Sequence, residues 1–315
     1  MNMHLNLGDA FQANLGFVVS QTAHIEAQVN RISYPGIQYN ELIPVDTSAN
    51  PWATSVTFYS MDSAGQAQWT NGKASDVPTV GLAMDKFDTP VFMASIGYDM
   101  SIEEVNQARM MGVSLGAEKA MAARRICEEF IDGVALNGNT AKGFQGLWAY
   151  TGVPAATVAA DGTGSSALWS TKDATKILRD VNDLITGTGT ATAETAYADT
   201  LVLPFARFNS IASMQLPGTT MTVLEFLRQN NVYTARTGRA LTIRAARGLE
   251  TKGSGSTMRM VAYRRSPDVL KLHLPMPHTF LPVQQVGLGY LVPGIFRVGG
   301  LDIRRPQEVR YGDGI

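Results

Sequence analysis

The chain has 315 residues, of which 45% are hydrophobic and 17% charged, and its net charge is −1. That is enough apolar material for one large core or two to three smaller ones, and too little basic charge for a dedicated nucleic-acid binder. A single cysteine, Cys127, excludes an intramolecular disulfide and points to a reducing compartment, and no apolar run reaches the roughly 18 residues of a membrane span.

The first residues lack the basic-then-apolar layout of a secretion signal, so a soluble, cytosolic product is expected. Residues 1–33 read as an N-terminal arm with a short helix over Ser20–Ile32, carrying Ile25, Val29 and Ile32 on one side. Pro35 ends it, and Pro44 and Pro51 keep the next stretch extended. Two stretches with strand character, Thr54–Met61 and Thr89–Asp99, then flank a polar tip from Asp62 to Asp88. An isolated hairpin is marginal in water, so such an arm needs a neighbour. Trp69, a large aromatic in a polar loop, is the candidate anchor.

The helix signal opens at Ser101. Ser101-Ile102-Glu103-Glu104 reads as a capping box, with Ser as cap and Glu104 reaching back. Leu115, Ala122, Ile126, Phe130 and Val134 continue one stripe, so a helix of about 30 residues, roughly 45 Å, is expected. Its Ile126–Phe130–Val134 stripe should pack on Leu270, Leu272 and Leu274. Cys127 reads as a small core or interface residue. Glu128, Glu129 and Asp132 read as the wet face of the helix.

Beyond it, Gly138–Ser166 is loop-rich, Thr171–Ile185 reads as a helix, and Gly187–Ala193 as a small-residue linker. Thr200–Leu203 is a short apolar strand leading through Pro204 into a helix at Phe205–Ser213. Another helix follows at Thr222–Gln229, and Leu241–Leu249 and Met258–Tyr263 read as strands. The last fifth is strand throughout: Leu270, Leu272 and Leu274 alternate with Lys271 and His273, then Val286–Val292 and Ile295–Ile303 follow. Helix groups interleaved with strands, plus a projecting arm, indicate α+β.

No catalytic constellation emerges. Gly112-Val113-Ser114-Leu115-Gly116 matches a nucleophile pattern, but one that requires a strained strand-to-helix turn; here it lies within helical periodicity. A serine esterase using Ser114 is therefore the lesser reading. His273, on the polar face of a strand with no carboxylate or Cys at metal spacing, reads as solvated or hydrogen-bonded. Asn71-Gly72-Lys73-Ala74 lacks the leading Gly and the hydroxyl of a phosphate loop. No cofactor, metal or catalysis is expected. Charge, however, is uneven. Residues 1–100 hold nine acids against three bases, and Arg236–Arg265 holds eight bases against Glu250 alone. Asp62, Asp76, Asp85 and Asp88 are thus candidates to meet Arg236, Arg239, Arg244 and Arg247 of a neighbouring subunit.

Tyr34-Pro35 and the run Leu42-Ile43-Pro44-Val45-Asp46-Thr47-Ser48-Ala49-Asn50-Pro51 resemble the start of tailed-phage major capsid proteins with the Hong Kong 97-like fold. Ala108-Arg109-Met110, Ala122-Ala123-Arg124-Arg125, Gly143-Phe144-Gln145-Gly146-Leu147, Leu168-Trp169-Ser170-Thr171, Leu203-Pro204 and Tyr311-Gly312-Asp313-Gly314 continue the match. The resemblance implies an N-terminal arm at 1–45 and an extended hairpin, the E-loop, at 46–95. It implies a peripheral domain at 96–149 and 266–315 with a spine helix, and an axial domain at 150–265. It implies a shell of pentamers and hexamers enclosing double-stranded DNA, a portal, and scaffolding or decoration proteins as partners. Assembly would take place in the host bacterial cytoplasm, without a membrane. Some members weld subunits through an E-loop Lys and a late Asn. Lys73 and Lys86 are available, yet no Asn follows Asn231, which argues against welding. The runner-up is an encapsulin-like compartment shell of the same fold.

Overall fold

A computed structural model describes residues 36–67, 69, 78–111 and 114–315. The expected helix at Ser20–Ile32, and Lys73 and Asp76, lie outside the described residues. The centre of the body is a five-stranded sheet in the order Thr242–Ala246, Thr200–Pro204, Arg259–Tyr263, Val309–Asp313, Ala155–Thr157. Both Thr200–Pro204 and Arg259–Tyr263 are buried at every position. Such strands, covered on both faces, are why the sequence there shows apolar runs instead of alternation. Leu201, Leu203, Met260 and Ala262 enter one core, with Ile177, Val181, Leu184 and Ile185 of the helix Ala174–Ala191. Val202, Val261, Tyr263, Val309 and Tyr311 enter the other, with the long helix and the C-terminal strands.

Local signals landed where non-local cover was not needed. Pro204 ends its strand and the helix Phe205–Ser213 begins at the next residue. Thr222 caps Val223–Gln229 by accepting from the Glu225 N–H at 3.3 Å. The box at Ser101 forms in both directions: Glu104 N–H donates to Ser101 Oγ at 3.1 Å and Ser101 N–H to Glu104 Oε2 at 3.0 Å.

Four expectations need correction. The long helix is two, Ile102–Met111 and Leu115–Asn137. Its buried stripe is Cys127, Ile131, Val134 and Ala135, while Ile126 and Phe130 are 44% and 45% exposed. Neighbouring stripes are both apolar here, and periodicity alone cannot choose between them. The choice is made by the strands, since Cys127, Ile131 and Val134 share a core with Leu270, Leu272 and Leu274. Phe130, half in solvent, packs edge-to-face with Phe296, centroids 5.7 Å apart.

Glu128 and Asp132 are not a wet face. Asp132 Oδ1 accepts from the backbone N–H groups of Gln38 and Tyr39 at 2.9 and 2.8 Å, capping the short helix Tyr39–Leu42 from outside. Tyr39 OH donates to Glu128 Oε2 at 2.6 Å; burial first, then this carboxylate, pushes the phenol above its ordinary range. Residues 187–191 continue the helix Ala174–Ala191 in place of the expected linker. Glycine is required there for closeness: a Cβ at Gly187 would sit 2.6 Å from the Arg310 guanidinium, and one at Gly189 2.3 Å from the Tyr197 ring.

Candidate assembly surface

The arm is longer and more regular than its sequence suggests. Ser55–Ala64 pairs antiparallel with Gly81–Pro90 in unbroken register, from Ser55↔Pro90 to Ala64↔Gly81. Asp62, Asp85 and Asp88 therefore sit on strands, where an irregular tip was expected. Cross-strand partners share a face and successive residues alternate, which divides the arm in two. One face carries Val56, Phe58, Phe87 and Thr89 near the root, then Asp62 and Asp85 further out. The other carries Thr57, Asp88 and Lys86 near the root, then Tyr59, Met61, Leu82 and Met84 further out. Those four apolar side chains are 59–69% exposed. This apolar patch is the feature sequence reading missed. Its signal is the i, i+2 spacing of Tyr59–Met61 and Leu82–Met84, diluted by the polar residues between them.

Among the described residues, the contacts that tie the arm to the body lie at its root. The Val91 N–H donates to Thr54 O at 2.9 Å, and Arg297 Nη1 to Pro51 O at 2.9 Å. Phe58 stacks on Phe87 with centroids 5.0 Å apart, and the Arg304 guanidinium lies 4.4 Å over the Phe58 ring. Further out, Trp69 is fully exposed.

The charged candidates are scattered. Asp88 accepts from Thr57 Oγ1 and pairs with Lys86 at 2.9 Å; the Thr57 hydrogen bond first, then Lys86, lowers its carboxyl. Arg236 pairs with Glu194 at 3.4 Å and lies 5.7 Å over the Tyr197 ring. Arg244 is paired with Glu41 of its own chain, and the Arg247 N–H donates to Gln38 Oε1 at 3.2 Å. Arg239 lines a polar cleft of ≈ 380 Å³ with Glu41, Asp199, Tyr233, Arg244 and Arg265. Arg239 and Arg244 thus border a mixed-charge cleft, while Arg236 and Arg247 lie outside its lining.

Ser114 is exposed, and the nearest described segment before it, Ile102–Met111, is a helix, where a nucleophile elbow calls for a strand. Burial pushes the Cys127 thiol up to about 12, the mark of a structural cysteine. Of the two expectations for His273 the hydrogen-bonded one holds: the ring is buried, with Nε2 3.4 Å from Asp302 Oδ2. Among the described residues no three His, Cys, Asp or Glu side chains converge as metal ligands, and no helix is long and apolar enough to cross a membrane.

Residues 65–315 match the family model described as major capsid protein. The chain belongs to this family. The fold matches the capsid of Myoviridae phage XM1 with a TM-score of 0.75 at 23% identity, covering 94% of this chain and 98% of that one. A Microbacterium phage Oxtober96 structure matches with a TM-score of 0.62 at 11% identity, over 95% of this chain and 97% of that one. A virus-like particle from Pyrococcus furiosus matches with a TM-score of 0.52 at 12% identity, over 87% and 91%. No curated protein sequence matches the chain. As a major capsid protein, this chain is a structural component of a shell, and the Hong Kong 97-like fold implied by its sequence is the one it has.

Proposed function

We propose that copies of this chain assemble into the pentamers and hexamers of an icosahedral phage head that encloses double-stranded DNA. The observation that carries this reading is the arm: a hairpin gripped at its root, with Tyr59, Met61, Leu82 and Met84 exposed on one outer face. Such a hairpin gains stability when another copy covers it. In this reading 1–45 is the N-terminal arm, 46–95 the E-loop, 96–149 with 266–315 the peripheral domain and 150–265 the axial domain. The last strand, Val309–Asp313, ties the two domains by pairing with Arg259–Tyr263. Trp69 and the acids Asp62, Asp76 and Asp85 would meet a neighbour, with Arg236, Arg239, Arg244 and Arg247 offered in return, while Asp88, also a candidate from the sequence, is occupied within its own hairpin. The protein works by association, without catalysis. DNA is held without sequence specificity, and a portal, with scaffolding or decoration proteins, completes the virion in the host cytoplasm.

A compartment shell of the same fold is the second reading. Electron microscopy of the purified protein, with nucleic-acid extraction from particles formed during infection, separates them. Icosahedral particles filled with DNA support the head. Particles holding protein cargo support the compartment, and a protein that stays monomeric at all concentrations overturns both.

A further inference from the structure

At the root of the arm, Val45–Asp46, Leu270–His273 and Leu301–Ile303 form a three-stranded sheet. Asp46 is the register partner of His273, and Lys271 that of Asp302, so these four side chains share one face. The alternation of Leu270 and Leu272 with Lys271 and His273 marks this face as polar, yet it is covered. Gly299 fits between His273 and Val91, where a Cβ would stand 2.9 Å from His273 Cβ and 3.2 Å from Val91 Cγ2.

The buried His273 ring lies between two carboxylates. Its Nε2 is 3.4 Å from Asp302 Oδ2 and its Nδ1 3.7 Å from Asp46 Oδ2, and Nδ1 has no hydrogen-bond partner. A neutral imidazole has one N–H and one lone pair, so one ring nitrogen must turn a lone pair toward a carboxylate. Only the imidazolium is attracted to both.

The other charges around the ring are Lys271, paired with Asp46, and Arg304, whose Nε donates to Asp302 Oδ2 at 3.0 Å. Val91 brings no charge, and Arg297 is committed to the Pro51 and Val91 carbonyls. Burial opposes ionisation of Asp46, but hydrogen bonds from Lys271 and Ser48 outweigh it and hold the carboxyl well below the usual range. Lys271 and Arg304 hold the same carboxylate oxygens that face the ring.

Both carboxylates lead to the arm. Asp46 precedes its first strand, and Asp302 holds the Arg304 guanidinium that lies over Phe58. We propose that His273 is a proton-operated clamp on the arm's root: charged, it bridges Asp46 and Asp302; neutral, it releases one of them and loosens the root. The clamp is a property of the single chain and stands apart from the shell reading. A cation gained on folding adds stability below the imidazole titration range and loses it as pH rises through that range, about pH 5 to 8.

The test uses the full-length, unassembled chain at about pH 5.5 and about pH 8, as wild type and His273→Gln. Relative to the variant, the wild-type melting midpoint should fall by about 2–4 °C across that interval. Hydrogen exchange at residues 45–58, corrected for intrinsic rate, should rise with it. Parallel pH profiles for the two proteins overturn the proposal. Nitrogen-15 NMR of the wild-type ring decides if the variant does not fold. Both ring nitrogens protonated at the lower pH and one at the higher support the clamp; a single neutral tautomer at both overturns it.

Discussion

Asp85 and Asp88, three residues apart on one strand, stand on opposite faces of the arm. Asp85 faces Ser60 beside Asp62, whereas Asp88 faces Thr57 and is satisfied within its own hairpin. The described acids of the arm are therefore two sets, and among them Asp62 and Asp85 are placed together for an external partner.

Reversing Asp62 and Asp85 to Lys should slow assembly at low salt and matter little at high salt, because exposed charge steers encounter more than it holds a complex. Asp88→Lys should leave assembly rate nearly unchanged, since it disturbs contacts internal to the arm. Light scattering of assembling protein at two salt concentrations checks both. An effect of Asp88→Lys as large as that of the double reversal would contradict the division of faces.

In the long helix, Ile131→Ala should cost about 2–5 kcal/mol, because Ile131 is 1% exposed in the core. Phe130→Ala should cost clearly less, since the ring is half in solvent and packs edge-to-face with Phe296. Denaturant unfolding of the unassembled subunit ranks the two. The reverse ranking would mean that the helix is rotated by one residue.

Asp132→Ala should destabilise by about 1–3 kcal/mol, because the N–H groups of Gln38 and Tyr39 lose their acceptor. Asp132→Asn, which keeps a carbonyl oxygen, should restore much of the loss. Thermal melting measures the difference, and limited proteolysis near Tyr39 should locate it.

Asp161 has a carboxyl lowered to about 2: the Arg179 hydrogen bond at 2.7 Å leads, burial opposes it, and Lys172 adds to it. A carboxyl lowered on folding contributes stability that is present above its unfolded value, about 3.9, and lost as pH falls through the folded one. Asp161→Asn should therefore be less stable than wild type near neutral pH, with the gap closing between about pH 4 and pH 2. Melting midpoints against pH test this, and a constant gap would count against it.

Much of the fold is legible where the physics is local. The Ser101 box and the Pro204 boundary depend on a few adjacent residues, and each is found where the sequence puts it. What escaped reading depends on distant cover. Ile126 and Cys127 are both apolar, and only strands far along the chain decide which is buried. Asp132 reads as solvated until the segment at Gln38 arrives with two free N–H groups. The arm's strands were cut short because Asp62, Asp85 and Lys86 dilute their alternation. The apolar patch hidden by that dilution is the part of the candidate surface that matters most to assembly.

That patch gives the most direct test of the account. Electron cryo-microscopy of assembled shells, at a resolution that shows side chains, should find Tyr59, Met61, Leu82 and Met84 covered by an adjacent subunit, with the arm root still held by Arg297 and Arg304 of its own chain. An arm folded back on its own body, or one whose apolar face remains in solvent within the finished shell, would contradict it.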